Sequence, residues 1–368
     1  MLKSLLLINF YTMAQVDYKK ELHDIIDIIV SEKGSDIHLS VGSHPIVRVA
    51  GSLIPLVKKP VLTDPDVEGF CRALMTKEQF EQFEERNEMD FSYAHEGGIR
   101  FRGNAYVQKG TKAVALRLIP NEIKTLEDLK LPPILESFTQ RPQGFFLCVG
   151  PVGQGTSTTL AAMIQMINTS RADHIVTIED PIEYVFTPDQ SLIDQREINV
   201  DTSDFGTALT SAFRQDVDVI MVGEMRNTDT IATAVTAAET GHLVLSTLHT
   251  NNAAQTIDRI IDSFPGGQQD QIRTQLAGSL AGIFSQRLIP RIAGGMVPAY
   301  ELLINNSAVS NLIRENRTHE IQTVIETGLE YGMIDMNRSL ADLVKKGEIT
   351  VENAFAYSIN PKGLERLM

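Results

Sequence analysis

The residues best suited to chemistry lie in one short stretch, GFFLCVGPVGQGTSTT, from Gly144 to Thr159. An apolar run predicts a buried strand, a glycine-rich turn follows, and Ser157 opens an alanine-rich segment with a helical pattern. Glycines permit positive φ angles, so successive backbone N–H groups can converge on phosphate oxygens, and a helix start adds partial positive charge. The Ser157 hydroxyl has the position that binds Mg²⁺ in such loops. The stretch predicts a phosphate-binding loop made of Gly150, Pro151, Val152, Gly153, Gln154, Gly155, Thr156, Ser157 and Thr158.

One position departs from the pattern G-x-x-x-x-G-K-[ST], because Thr156 stands where the pattern has lysine. Threonine is too short to bridge the β- and γ-phosphate oxygens and carries no charge. Two lost charge-assisted hydrogen bonds, at about 1.5–3 kcal/mol each, would cost roughly 10²- to 10⁴-fold in rate. Three explanations stay open: a degenerate paralogue that works beside an active ATPase, a single-codon substitution, or a cation supplied from elsewhere in the chain.

Charged residues follow three further apolar runs, at positions that a buried core would not favour. Glu179 ends the first run, where a base that orients an attacking water would lie. Glu224 ends the second, in the manner of a Walker B carboxylate that helps to hold Mg²⁺ through its waters. His242 and His249 flank the third. A zinc site would need further ligands, so contact with the γ-phosphate or with neighbouring strand ends is the favoured interpretation.

The elements that position these residues form two regions. Residues 14–120 mix helical and strand patterns and predict a small α+β domain with an antiparallel sheet. Residues 121–142 predict a linker with a short helix. Residues 143–368 begin with alternating strands and helices, typical of a mostly parallel sheet that binds ligands at the carboxyl ends of its strands. From Thr256 onward the pattern predicts mainly helix, and Gly241 predicts the C-terminal cap of an earlier helix.

Composition limits the classes of protein that this chain can represent. The net charge of −14 disfavours nonspecific nucleic-acid binding, and no apolar stretch approaches the length that spans a membrane. Cys71 and Cys148 are too few for a disulfide framework or a structural zinc site, which favours a reducing cytosol. Residues 1–13 are expected to be a disordered extension, or to lie upstream of the true start at Met13.

These segments together resemble the secretion-type ATPases, and within them the type IV pilus retraction ATPases. The VTIEDPIEYVF, VGEMRN and TGHLVLSTLHTNNAAQTIDRIID sequences are very similar to those of the family. The resemblance extends to GSDIHLS in the first region and to AVSNLIRE near the C-terminus, where Val309 and Ser310 replace the Ile and Arg of the retraction motif AIRNLIRE. The Walker A, Asp, Walker B and His boxes of the family correspond to Gly150–Ser157, Thr177–Glu183, Val219–Glu224 and Gly241–Thr250.

The resemblance implies an α/β, RecA-like P-loop ATPase domain preceded by a small α+β, PAS-like domain. It implies ATP and Mg²⁺ as ligands and a homohexamer that retracts a type IV pilus in twitching motility. The ring would lie at the cytoplasmic face of the inner membrane, with a membrane-platform protein as partner and no nucleic acid. It also implies residue roles: Glu179 is the catalytic base, Glu224 and Ser157 hold Mg²⁺, His242 and His249 are His-box groups, and Arg102 and Arg117 reach the nucleotide.

Two comparisons within the resemblance refine the expected function. Assembly and type II secretion ATPases usually carry an extra N-terminal domain and a four-cysteine zinc insert, for which this sequence has too few residues and cysteines. Retraction is therefore favoured over assembly. The alternative is a noncatalytic or weakly active ring subunit that assists an active paralogue. A nucleic-acid translocase is disfavoured by the acidic charge and the absence of a recognition motif.

Overall fold

A computed structural model describes residues 16–120, 122–225 and 227–368, so the predicted extension at residues 1–13 lies outside the described residues. The chain divides into two compact units, of which the first ends at Pro120. Within the described ranges, no helix combines the length and the apolar character needed to cross a bilayer.

The first unit is a six-stranded antiparallel sheet with helices packed on one face, in strand order β3-β2-β1-β6-β5-β4. Its inner face and helices share an apolar core that includes Ile25, Ile37 and Phe101. The predicted antiparallel sheet is confirmed. The elements are α1 (Tyr18–Ser31), β1 (Asp36–Ser40), β2 (Ile46–Val49), β3 (Ser52–Pro55), α2 (Asp64–Leu74), α3 (Lys77–Arg86), β4 (Glu88–Ala94), β5 (Arg100–Gln108) and β6 (Thr111–Ile119).

The second unit is a seven-stranded sheet covered by helices on both faces, in strand order β13-β12-β7-β11-β10-β8-β9. Its elements up to β11 are α4 (Glu136–Thr139), β7 (Gly144–Val149), α5 (Thr156–Ser170), β8 (His174–Glu179), β9 (Leu192–Glu197), α6 (Phe205–Ala212), β10 (Val219–Val222), α7 (Thr228–Glu239) and β11 (Leu243–Leu248). Those that follow are α8 (Ala253–Asp262), α9 (Gly266–Ser279), β12 (Leu280–Pro290), β13 (Met296–Ile304), α10 (Ser307–Arg314), α11 (Ile321–Thr327), α12 (Met336–Lys345), α13 (Val351–Tyr357) and α14 (Pro361–Glu365).

Every neighbouring pair of strands in this sheet is parallel except β12 with β13. The carboxyl ends of β7, β11, β10 and β8 therefore meet at one edge, as the α/β prediction requires. The strands β7, β10 and β11 are buried along their whole length. Burial also raises the pKa of the Cys148 thiol in β7, which makes this cysteine an inert core residue.

The prediction of mainly helix after Thr256 is wrong for β12 and β13, which form an antiparallel hairpin on the edge of the sheet. Gly294 and Gly295, with φ angles of 85° and 74°, make its turn. The physical reason is burial, because β12 is apolar on both faces over most of its length and shows no period-two alternation. The charged edge strand β9 was missed for the converse reason, since LIDQRE has little apolar pattern.

Two local predictions concern the cap of α7 and the segment between the two units. Gly241 has a φ of 115° directly after α7, and the His242 N–H donates to the Ala237 carbonyl at 3.1 Å, which confirms the predicted glycine cap. The segment predicted as a linker, residues 121–142, includes the buried side chains Leu126 and Phe138 within the core of the second unit. The domain limits and a hinge in this segment stay predictions.

Candidate nucleotide-binding site

The phosphate loop, Gly150–Ser157, connects β7 to α5 at the carboxyl end of β7. Gly153 and Gly155 have φ angles of 79° and 81°, a region that residues with a Cβ rarely adopt. A Cβ at Gly150 would lie 2.5 Å from the carbonyl oxygen of Gln286, so this glycine permits two backbones to approach closely. The predicted glycines thus occupy the positions that shape the loop.

The loop fits phosphate groups in shape but lacks one charge. The helix α5 runs for 15 residues from Thr156, so the free N–H groups and partial positive charge of its first turn adjoin the loop. Ser157 is partly exposed there, whereas Thr156 is buried and uncharged. In the part of the chain that the structure describes, the loop is hydrogen-bonded to other segments through Leu248, His249, Gln286 and Leu288, and no lysine or arginine takes part.

Glu224 follows β10 at the same edge of the sheet, and the neighbouring strand β11 holds that edge in place. The hydroxyls of Ser246 and Thr247 donate to the carbonyl oxygens of Val222 and Gly223 at 2.7 and 2.6 Å. Both hydroxyls are buried, so breaking these hydrogen bonds would leave polar groups unsatisfied. These two positioning residues were missed in the sequence, where the only signal was a Ser-Thr pair inside an apolar run.

His249 brings Glu224 and the phosphate loop together. Its Nε2 lies 3.8 Å from Oε2 of Glu224, and its Nδ1 lies 3.4 Å from the carbonyl oxygen of Gly150. The His249 side chain is 50% exposed, so it faces open space as well as the loop. A cavity of about 580 Å³ lies beside it and includes Thr250 and Gln255 in its lining. Walker A, Walker B and one histidine therefore form a single cluster.

Glu179 ends β8 on this edge and is almost fully buried. Its Oε1 accepts hydrogen bonds from Thr177 Oγ1 at 2.8 Å and Gln195 Nε2 at 3.3 Å, and its Oε2 accepts one from the Glu183 N–H at 3.1 Å. Burial outweighs these hydrogen bonds and raises the pKa of the Glu179 carboxyl to about 7. A carboxyl with a pKa near neutrality is suited to accepting a proton during catalysis.

Glu183 is a second acid of this segment, to which the sequence analysis gave no role. It is exposed, and its charge helps to raise the pKa of Glu179. The Tyr184 and Thr158 hydroxyls lie 2.8 Å apart and tie the segment to the first turn of α5. The sequence EDPIE contained both acids, but spacing alone does not distinguish a buried carboxyl from an exposed one.

His242 lies at the opposite edge of the sheet from His249, because the whole of β11 separates them. Its Nδ1 lies 3.0 Å from the Ala237 carbonyl oxygen, and its ring packs edge-on against Phe213. Its own carbonyl oxygen accepts a hydrogen bond from Gly144 at the start of β7, whereas the phosphate loop follows the end of β7. Within one subunit the structure brings His249 to the loop and leaves His242 away from it.

Arg102 and Arg117 lie in the first unit, directly opposite each other on β5 and β6. Both are exposed on the face of the sheet that the helices do not cover. Arg117 Nε donates to Asp36 Oδ1 at 3.0 Å, and Arg48 Nε lies 3.6 Å from Oδ2 of the same carboxylate. Within the described ranges Arg102 has no acidic partner. Arg48, Arg102 and Arg117 thus lie near one carboxylate, Asp36, and this cluster has a surplus of positive charge that suits an anion.

The agreement with a known family covers most of the chain. The family model described as "Type II/IV secretion system protein" matches residues 17–296. This range includes the sheet face that carries Arg102 and Arg117, here named the arginine face, and the Walker A, Asp, Walker B and His boxes. The chain belongs to the type II/IV secretion system protein family.

Individual relatives of this secretion-family member are similar over nearly its whole length. The type IV pilus retraction ATPase PilT of Pseudomonas aeruginosa is 42% identical over 334 residues, which are 91% of this chain and 97% of PilT. The type IV pilus ATPase PilU of the same organism is 38% identical over 349 residues, 95% of this chain and 91% of PilU. A crystal structure of the pilus retraction motor PilT with bound ADP has a TM-score of 0.87 and 46% identity, covering 93% of this chain and 98% of that one. The predicted family and fold class are confirmed.

Proposed function

We propose that this secretion-family member is a nucleotide-binding subunit of a homohexameric motor ATPase that drives type IV pilus retraction. The observation that carries the proposal is the cluster of the phosphate loop, Glu224 and His249 at one sheet edge, which Glu179 shares. Similarity to retraction motors over nearly the full chain supports the choice of retraction. The proposed location is the cytoplasmic face of the inner membrane, against a platform protein of the pilus.

The proposed roles follow from the chemistry of each group. Backbone N–H groups of the loop and of the first turn of α5 hold the β- and γ-phosphates of ATP. Ser157 and Glu224 hold Mg²⁺, partly through water, and the bound ion would offset the charge of the phosphates. His249 contacts the γ-phosphate. Glu179 orients the attacking water and accepts its proton, because its raised pKa matches that task.

Arg102 and Arg117 are proposed to contact the nucleotide when subunits close around it in the ring. Their exposed guanidinium groups and unbalanced charge suit a phosphate, with which arginine makes short, bidentate hydrogen bonds. Movement of the first unit would be permitted by a hinge in residues 121–142. Because β11 separates His242 from the loop of its own subunit, any contact of His242 with nucleotide would come from a neighbouring copy.

A second candidate function is a noncatalytic or weakly active ring subunit that assists an active pilus ATPase. Thr156 favours it, since the loop lacks the charge that stabilises the transition state. The helix α10 also carries Ser310 where the retraction motif has arginine, and the Ser310 hydroxyl lies 2.8 Å from the Ala277 carbonyl oxygen. This position therefore carries no charge, and its hydroxyl is engaged within the subunit.

The test uses the purified full-length chain. Calorimetry with Mg²⁺ and a slowly hydrolysed ATP analogue at millimolar concentration should show binding, and native mass spectrometry should show hexamers. No binding heat at millimolar analogue would contradict the proposed function. Measurable steady-state hydrolysis would favour the motor, whereas binding and hexamers without hydrolysis would favour the noncatalytic subunit.

A further inference from the structure

One segment of β12, Ser285–Leu288, lies directly beside the phosphate loop and is here named the bracing segment. β12 pairs with β7 in parallel, with Ser285 beside Val149, so the bracing segment continues past the end of β7 where the loop begins. Successive side chains of a strand point to opposite faces of the sheet. Gln286 and Leu288 therefore share one face, and Ser285 and Arg287 share the other.

Gln286 connects the phosphate loop to the first turn of α5. Its Nε2 donates to the Gln154 carbonyl oxygen at 2.8 Å, and its Oε1 accepts from Thr159 Oγ1 in α5 at 2.7 Å. In return, the Gln154 side chain accepts a hydrogen bond from the Leu288 N–H at 2.8 Å. Gln286 is buried, so no water replaces these partners if its side chain is lost. Two hydrogen bonds interlock the loop and the bracing segment, a third ties the segment to α5, and none of them requires a charge.

The opposite face of the bracing segment holds the histidine loop, residues His249–Asn252. Ser285 Oγ donates to the Asn251 carbonyl oxygen at 2.9 Å, and Arg287 Nη2 donates to Asn251 Oδ1 at 3.3 Å. Glu301 lies directly across from Ser285 on β13, and its Oε1 accepts the Ala253 N–H at 2.9 Å. The histidine loop and the phosphate loop are thus both hydrogen-bonded to β12, but on opposite faces of the sheet.

The bracing segment is also attached to the C-terminal helices. Arg287 Nη1 donates to the Tyr357 carbonyl oxygen at the end of α13 at 3.2 Å. Asn353 Nδ2, within α13, donates to the Pro290 carbonyl oxygen at 3.1 Å. Arg287 therefore contacts the histidine loop with one nitrogen and α13 with another.

We infer that the bracing segment sets the geometry of the nucleotide site from both sides. Gln286 is a positioning residue for the phosphate loop, and Arg287 is a positioning residue for the histidine loop that also links it to α13. The inference rests on the proposed function in one respect, that the positioned groups meet a nucleotide. Its physical basis is that hydrogen-bond donors must be aimed at the phosphates before the ligand arrives to bind it well. In a loop without lysine, this neutral interlock fixes the donors together with the contacts of Gly150 to Leu248 and His249.

The experiment compares hydrogen exchange and nucleotide binding in full-length variants. Gln286→Met has similar length but cannot donate to Gln154 or accept from Thr159. Its backbone amides at 150–157 should exchange at least about tenfold faster without ligand, because the interlock that limits local opening is lost. The affinity for Mg·ADP should fall about tenfold. Gln190→Met, an exposed glutamine far along the chain, is the matched control and should change neither value.

Arg287→Met tests the contact between the bracing segment and the histidine loop. Amide exchange at 249–253 should rise about tenfold, while exchange at 150–157 stays close to that of the unsubstituted chain. Arg287→Lys, which retains the charge but offers one nitrogen, should recover part of the protection. Equal rises at both loops in both variants, or a rise shared by β10, would mean general loosening and would overturn the assignment.

The outcomes separate this inference from the proposed function. If the unsubstituted chain binds no Mg·ADP, the proposed function fails, and the exchange data still decide whether the segment braces the loops. If it binds Mg·ADP and Gln286→Met binds equally well with unchanged loop exchange, the inference fails and the proposed function stands.

Discussion

The phosphate-loop region of the second unit and the arginine face of the first unit present their charged and polar groups in opposite ways. In the loop region, Glu179, Ser246 and Thr247 are buried and tied by hydrogen bonds: Glu179 accepts from three donors, and Ser246 and Thr247 hold the end of β10. On the arginine face, Arg102 and Arg117 are exposed side by side, with Asp36 as the shared counter-charge of Arg117 and Arg48.

The difference follows from what each region must do. Groups that hydrogen bonds already hold in place lose little entropy when a ligand arrives, so the loop region is organised for phosphate in advance. Exposed arginines keep their hydration and their freedom until an anion brings them together, and their mutual repulsion makes them poor partners for each other. We infer that the loop region supplies nucleotide binding, and that the arginine face raises the rate of hydrolysis only once nucleotide is bound. The three predictions below test each side of this comparison.

The largest expected effect comes from restoring the missing charge on the loop side. Thr156→Lys should raise kcat for ATP hydrolysis by about two to four decades and strengthen nucleotide binding, because it restores two charge-assisted hydrogen bonds. Steady-state phosphate release and calorimetry measure these changes. The double variant Thr156→Lys with Glu179→Gln should keep the affinity and lose the recovered rate. If Thr156→Lys leaves hydrolysis undetectable, the site is degenerate at more than one position. The noncatalytic ring subunit is then the favoured function.

The arginine side of the comparison predicts a smaller change. In the Thr156→Lys background, Arg102→Gln or Arg117→Gln should lower kcat roughly ten- to hundredfold, the value of one charge-assisted hydrogen bond of about 1.5–3 kcal/mol. Binding of Mg·ADP should change far less, since the loop region supplies recognition. Arg86→Gln, an exposed arginine on α3, is the control. An equal loss of rate in the control, or a large loss of Mg·ADP binding, would argue against the division of roles.

The smallest effect concerns pH and the buried carboxyl. In the Thr156→Lys background, kcat should fall about tenfold per unit below pH 7, because Glu179, with a pKa raised to about 7, is then protonated and cannot accept a proton. The sign for stability is opposite to that of an ordinary acid: burial favours the neutral form, so Glu179 lowers the stability of the fold as pH rises from about 4.5 to 7. Glu179→Gln should therefore remove this decline in thermal unfolding.

Glu183→Gln separates the two acids in the same measurement. If Glu179 is the base, this variant should still show the fall in kcat below pH 7. If Glu183→Gln abolishes the rate while Glu179→Gln retains it, the exposed acid is the base and the buried one positions it through the Glu183 N–H contact.

Much of the fold could be predicted because local pattern and final structure agree in most elements. The helix α1, the strands of the first unit and the alternation from β7 to β11, apart from β9, show clear periodicity or buried runs. The hairpin of β12 and β13 could not be predicted in this way, since a strand buried on both faces looks like any apolar run. Without the hairpin, the sequence analysis also missed two residues that contact the loops of the site, because β12 carries Gln286 and Arg287.

The sequence by itself determined the identity of the chemical groups at the site. The phosphate-loop glycines, Glu179, Glu224 and His249 were found from their positions at the ends of apolar runs, and the missing lysine at Thr156 needed no structure. These features are local, because a turn that requires positive φ and a charge that ends a buried strand leave marks in neighbouring residues.

Only the tertiary structure decided which of these groups meet and which others hold them. It brought His249 to the loop and left His242 at the far edge, although only the six residues of β11 separate them in the chain, because a strand carries its two ends to opposite edges of a sheet. It also showed that burial raises the pKa of Glu179 and that Gln286, far along the chain, ties the phosphate loop. Desolvation and hydrogen bonds between distant segments exist only once the chain has packed.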